Sequence, residues 1–226
     1  MSLFISFEGP DGSGKSTQIK LTADYLERQG YQLLLTREPG GTMIGNQIRQ
    51  ILHDVANQEM VAQAEVLLYS ASRAQLVHQV IIPHLKQGGV VLCDRYADST
   101  YAYQGYGRQL DFETLGVITR FATQGLKPDV TVYLNLDVEQ GLKRKIAASH
   151  LGQGEWNRMD QLDLEFHRRV QAGYLKMAQA EPTRWLVVDA TLPIAQVHQT
   201  ICSRLEELLQ QGEEKNQEAG RMESSL

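Results

Sequence analysis

Gly9-Pro10-Asp11-Gly12-Ser13-Gly14-Lys15-Ser16 has the spacing G-x-x-x-x-G-K-[ST], the pattern of a phosphate-binding P-loop. In such a loop the backbone N–H groups cradle an anion, Lys15 reaches the outer phosphates of a nucleotide, and the Ser16 hydroxyl, followed by Thr17, ligates Mg²⁺. Four fixed positions also fit a glycine-rich turn beside a surface lysine. Asp94 closes the apolar run Val90-Val91-Leu92-Cys93. A carboxylate there either holds Mg²⁺ directly or through water, or caps the next helix. Arg95 beside it could pair with Asp94 or grip a phosphate in bidentate fashion. Arg37, Arg49 and Arg73 come from three segments, and each alone reads as a solvated charge. Tyr69 and Arg73 lie four apart on one helical face. That pair suits stacking a base and bonding its edge, and equally suits the rim of a core. Ser99-Thr100-Tyr101-Ala102-Tyr103-Gln104-Gly105 is rich in hydrogen-bonding groups that serve a polar ligand or simply begin a helix.

These residues need a scaffold that brings them to one rim. Apolar strand-length runs at 3–8, 32–36, 90–93, 130–136 and 185–188 alternate with segments of helical period. Helices are expected at 15–29, after Thr42, at 59–86 with a kink near Pro83, and over most of 98–124 around a glycine-bearing loop at 105–107. Further helices are expected at 138–148, at 160–180, and from Pro193 to near Leu209. Continuous apolar strands between helices predict an α/β fold: a P-loop NTPase-type parallel five-stranded sheet with helices on both faces. Ligands of such sheets sit beyond the C-terminal strand ends, which is where Ser16, Arg37–Thr42 and Asp94-Arg95 fall. Residues 1–209 read as a single domain, and the polar stretch 210–226 as a frayed, disordered tail.

The 226 residues carry a net charge of −5, which argues against a general nucleic-acid binder but not against a nucleotide ligand. No apolar run reaches membrane-spanning length, and no basic-then-apolar leader opens the chain. Cys93 and Cys202 lack metal spacing; Cys93 reads as a core residue, and a reduced, cytoplasmic setting is expected. The guanine-reading motif of GTPases is missing, because Asn135-Leu136-Asp137 does not fit it. The residues alone thus point to a P-loop phosphotransferase or hydrolase of small-molecule kinase size.

Glu8 to Thr17, Thr36-Arg37-Glu38-Pro39-Gly40-Gly41-Thr42, Asp94-Arg95-Tyr96 and Ala102-Tyr103-Gln104-Gly105 occur in order. Together they resemble the thymidylate kinase family over roughly residues 3–205, a bacterial type with a lid arginine. The resemblance implies transfer of the ATP γ-phosphoryl group to dTMP, with Mg²⁺, in a homodimer that feeds dTTP biosynthesis. It implies that Gly9 to Thr17 bind ATP, with Ser16 and Asp94 as metal ligands. It implies Tyr69 stacking on thymine, Arg73 and Gln104 on the base edge, and Thr100 beside the base. Arg49 and Arg95 grip the dTMP phosphate. Asp11 meets the sugar 3′-hydroxyl, Tyr103 crowds the 2′ position, and Glu38 and Pro39 line the pocket.

Some relatives carry the arginine for the transferring phosphoryl group in the P-loop, where this chain has Gly12. The charge is then expected from a lid at about 143–160, with Lys15, Arg95, Asp94 and Arg158 as the catalytic set. Arg158 lies in Arg158-Met159-Asp160, a segment of the family's type. Ser149 and His150 stand where a second lid arginine is common, so either Arg144 or Lys145 substitutes, or Arg158 acts alone, or His150 contributes weakly. On this expectation Arg158→Ala cuts turnover and leaves dTMP affinity intact. Two other outcomes stay open: a related kinase with dUMP, CMP or a deoxynucleoside as acceptor, or a catalytically silent nucleotide-binding protein.

Overall fold

The central apolar runs, at 3–8, 90–93 and 130–136, become strands that their neighbours bury on both faces, while the outer two, at 32–36 and 185–188, stay partly exposed. The structure, a computed structural model, describes residues 2–151 and 157–223. Strands β1 (Leu3–Glu8), β2 (Leu33–Arg37), β3 (Val90–Asp94), β4 (Val130–Asn135) and β5 (Trp185–Asp189) form one parallel sheet ordered β2-β3-β1-β4-β5. Side chains alternate across it. Leu3, Ile5 and Phe7 of β1 face Leu26 of α1 (Lys15–Arg28) and Val197, Ile201 and Leu205 of α9 (Ile194–Glu223). Phe4 and Val91 face the other way, onto Leu76, Val77 and Ile81. Tyr133 of β4 packs on Phe166, Val170 and Tyr174 of α8 (Leu164–Ala180). Cys93 is buried in this core, as expected.

Register sets the rim. Phe7 and Arg37 both pair with Asp94, and Glu8 pairs with Tyr133. Chemistry-bearing residues at four strand ends therefore sit level at the C-terminal edge. The order reverses direction at β1, so the crevice for a ligand opens beside the loop that follows it.

Four expectations about helices change. The stretch 59–86 comprises α3 (Ala62–Leu76), a π-helical turn (Val77–Ile81) and α4 (Ile82–Lys86). Pro83 offers no N–H and crowds the carbonyl four residues back; the wider i→i+5 turn, closed by the Ile82 N–H on Val77 O, accommodates it. The glycine-bearing loop at 105–107 is instead part of a π-helix, Tyr101–Gly107, that continues α5 (Ala97–Thr100). Its glycines provide closeness: a Cβ on Gly107 would lie 2.6 Å from the Phe166 ring of α8.

Residues expected to begin a helix at 160 form a 3₁₀ turn (Arg158–Gln161) before α8. Asn157 and Asp160 close that turn reciprocally as a capping box. The remaining helices are α2 (Met43–His53), capped by Thr42, α6 (Phe112–Thr123), capped by Asp111, and α7 (Val138–His150). Helix α9 runs past its expected end near Leu209 to Glu223; 210–223 is rich in Gln and Glu, which favour helix. Residues 152–156 of the expected lid lie outside the described residues.

Candidate active site

The loop between β1 and α1 is shaped by glycines in the left-handed region, Gly12 at φ +80° and Gly14 at φ +91°. Gly14 caps α1, so the helix N-terminus opens into a cleft of about 600 Å³. Pro10, Asp11, Gly12, Gly14, Lys15, Ser16 and Thr17 line it. Gly9 and Ser13 do not: Gly9 packs against β4, and the Ser13 hydroxyl is buried without a partner. The Lys15 ammonium arches back and donates to Gly9 O and Pro10 O at 3.0 and 3.1 Å. Burial and the neighbouring Arg95 depress its pKa. A Cβ on Gly12 would meet the Gly141 carbonyl of α7 at 2.6 Å, so α7 excludes any side chain at that position.

The facing wall comes from α2, α3, the loop after β2, and the segment after β3. Tyr69 and Arg73, one turn apart on α3, both line the cleft with Glu38, Pro39, Arg49, Thr100, Tyr103 and Gln104. Arg73 is 1% exposed and is braced by Glu38, Thr100 and the Tyr96 carbonyl at 2.7–3.3 Å. Burial raises the pKa of Glu38 against that pairing, and its second oxygen is buried without a partner. Arg49 donates to Pro39 O at 3.2 Å.

Arg95 links the two walls. Its guanidinium donates to Asp11 at 2.8 Å and lies 5.2 Å from the centroid of the Tyr103 ring. Burial would raise the Asp11 carboxyl, but Lys15, Arg95 and Lys145 hold it well below its usual range. Arg95 has φ +68°, a left-handed conformation uncommon outside glycine. The Phe7 carbonyl accepts its N–H at 2.9 Å, and Glu8 accepts the next N–H, from Tyr96, at 2.8 Å. Glu8 also accepts from Ser99 and Tyr174 hydroxyls, both at 2.7 Å. Complete burial lifts its pKa to about 7, opposed by Arg95 at 3.9 Å.

Asp94 lines the cleft with one carboxylate oxygen buried and unpartnered. The exposed hydroxyl of Ser16 lines the same cleft. Two hard oxygen donors of this kind suit Mg²⁺.

Arg158 is the exception among the expected catalytic residues. Instead of lining the cleft, it is 5% exposed, donating to Glu65 at 2.5 Å and to Leu52 O at 3.3 Å. The expectation that it faces a transferring phosphoryl group is not met in this arrangement, because a buried carboxylate claims it. Two other cations of the lid region do line the cleft. Arg144 reaches over the P-loop, within 3.4 Å of Gly12 O. Lys145 is bonded to Asp11 and to Asp160. Ser149 and His150 end α7 outside the lining.

Three site-shaping groups escaped the sequence reading: Glu8, Glu65 and Tyr174. Glu65 carried a legible signal, for with Tyr69 and Arg73 it forms an i, i+4, i+8 stripe on α3. Glu8 ends an apolar strand, as Asp94 does. Tyr174 carried none.

The model of the Thymidylate kinase family matches residues 7–201. A thymidylate kinase of Roseiflexus sp. (strain RS-1) is 52% identical over 216 residues, 92% of this chain and 96% of the relative. A thymidylate kinase of Herpetosiphon aurantiacus is 50% identical, covering 84% of this chain and 89% of the relative. The crystal structure of thymidylate kinase from Ehrlichia chaffeensis superposes with a TM-score of 0.72 at 33% identity, over 90% of this chain and 98% of that one.

Proposed function

This chain belongs to the thymidylate kinase family and transfers the γ-phosphoryl group of ATP to dTMP, and from that premise we propose how its residues divide the work. The observation that carries the division is the Asp11–Arg95 contact: the donor cradle and the acceptor wall meet at one ion pair. The P-loop from Pro10 to Thr17, with Lys15, holds the ATP phosphates. Tyr69 stacks on thymine, Arg73 and Gln104 meet its edge with Thr100 alongside, and Glu38 and Pro39 close the pocket. Arg49 and Arg95 hold the dTMP phosphate, Asp11 meets the 3′-hydroxyl, and Tyr103 fills the space a 2′-hydroxyl would need.

The attacking atom is a phosphate oxygen already ionised near neutral pH, so no general base is required. Rate comes from alignment and from positive charge placed around the moving phosphoryl group. Ser16 and Asp94 would hold Mg²⁺, which when bound offsets the charge of the ATP phosphates. Gly12 brings no charge to the loop, and Arg158 is engaged with Glu65, so the guanidinium over the transferring group is that of Arg144.

The test is steady-state ADP release with ATP and dTMP. Arg144→Ala is expected to lower kcat by roughly 10³-fold with little change in the KM for dTMP. Near-normal turnover in Arg144→Ala, with a collapse in Arg158→Ala at unchanged dTMP KM, would return the role to Arg158.

The functional unit is residues 1–209, with a lid at about 143–160, and the tail 210–226 stands apart from catalysis. The working form is a homodimer in the cytoplasm. Supporting this, Leu67, Val117 and Phe121 are 56, 60 and 86% exposed on the packed pair α3 and α6, an apolar surface suited to a second copy. Both cysteines are free thiols. Among the described residues, no helix is long and apolar enough to cross a membrane.

A further inference from the structure

Glu65 has no exposed surface and receives side chains from three directions. Gln104 donates its amide nitrogen at 2.8 Å, Arg108 donates at 2.9 Å, and Arg158 donates at 2.5 Å from the 3₁₀ turn. Tyr69 lies one turn further along α3. Burial alone would raise the Glu65 pKa, yet the bonds from Arg108, Gln104 and Arg158 bring it below the ordinary carboxylate value. An ionised carboxylate can only accept hydrogen bonds. The Gln104 NH₂ must therefore turn toward Glu65, whichever end of the amide would otherwise face it. The carboxylate repels the amide's carbonyl oxygen, which is therefore the end turned away from Glu65, toward the cleft that Gln104 lines.

We propose that Glu65, kept charged by Arg108 and Arg158, is a positioning residue that sets the polarity of the base pocket. It locks Gln104 as an acceptor, beside Arg73, which can only donate. An acceptor next to a donor complements the ring N–H and adjoining carbonyl of thymine or uracil. It opposes cytosine, which presents a bare ring nitrogen and an amino group along the same edge. Arg158 thereby acts on the base pocket from a distance. This inference rests on the reading of Gln104 as a base contact.

The test compares kcat/KM for dTMP and dCMP with ATP in the wild type, Glu65→Gln, Gln104→Ala and Arg158→Gln. A neutral side chain at 65 can itself donate, so Gln104 is released to present either end. Glu65→Gln is expected to reduce the dTMP/dCMP ratio about tenfold, through the dTMP KM, with the ATP KM unchanged. A purely structural Glu65 would lower both substrates alike; an unchanged ratio in folded Glu65→Gln overturns the proposal. Gln104→Ala separates the two levels: if that variant keeps the wild-type ratio, the base-contact reading itself falls. Should Glu65→Gln not fold, Arg158→Gln decides. With one guanidinium gone, Glu65 protonates more readily, and selectivity is expected to fall as pH is lowered while that of the wild type stays flat. Selectivity in Arg158→Gln as flat as in the wild type contradicts the proposal.

Discussion

Arg95 sits in a backbone conformation that costs about 1–3 kcal/mol for a non-glycine residue, and Glu8 is the group beneath it. Glu8 is fully buried with a pKa raised from 4.5 to about 7. A carboxylate whose native pKa is raised binds its proton more tightly in the folded state. Its favourable contribution is full below about 4.5 and is lost as pH rises through about 7. The wild type is therefore expected to lose at most about 3 kcal/mol from this group over that interval, and Glu8→Gln to show a flatter profile. Urea unfolding midpoints across pH check this, and parallel profiles would contradict it. The cleft positions of Lys15, Ser16 and Asp94 were legible from type and spacing, whereas the Tyr69–Arg73 pair, which also lines the cleft, fitted the rim of a core equally well. Arg158 was misplaced because its partner Glu65 lies in a distant segment, and a buried carboxylate outcompetes the cleft for a guanidinium.

At the scale of elements, the five strands were legible because a parallel sheet covered on both faces writes them as continuous apolar runs. The two π-helical stretches were not. A π turn uses the same residue types as an α-helix, and only its packing distinguishes it. The stretch Tyr101–Gly107 matters most, since it presents Tyr103 and Gln104 to the cleft while Gly107 lies against α8. In Gly107→Ala the new methyl would overlap the Phe166 ring. Overpacking of this kind costs about 1–3 kcal/mol, and the shift is expected to raise the KM for dTMP more than that for ATP. Thermal unfolding and the two KM values measure it; equal effects on both substrates would show that the stretch does not carry the acceptor site. The end of α9 was missed for the opposite reason: polar residues marked the end of the core, and helix propensity extends beyond it.

For the whole molecule, the position of the cleft followed from strand order alone, because β1 is where the sheet reverses direction. The surface proposed to pair two copies was not legible, since exposed apolar residues on α3 and α6 have the same helical period as buried ones. If that surface is the dimer contact, Phe121→Glu is expected to shift sedimentation toward the monomer, while a protein of unchanged mass would place the contact elsewhere. On the proposed division of labour, the cleft joins ATP to dTMP across the Asp11–Arg95 contact. The most direct measurement is phosphorus NMR of ATP, dTMP and Mg²⁺ incubated with the wild type and with Lys15→Ala. Equal amounts of dTDP and ADP are expected, with no inorganic phosphate from the wild type and no reaction with Lys15→Ala. Free phosphate in place of dTDP, or dTDP formed as fast by Lys15→Ala, would contradict it.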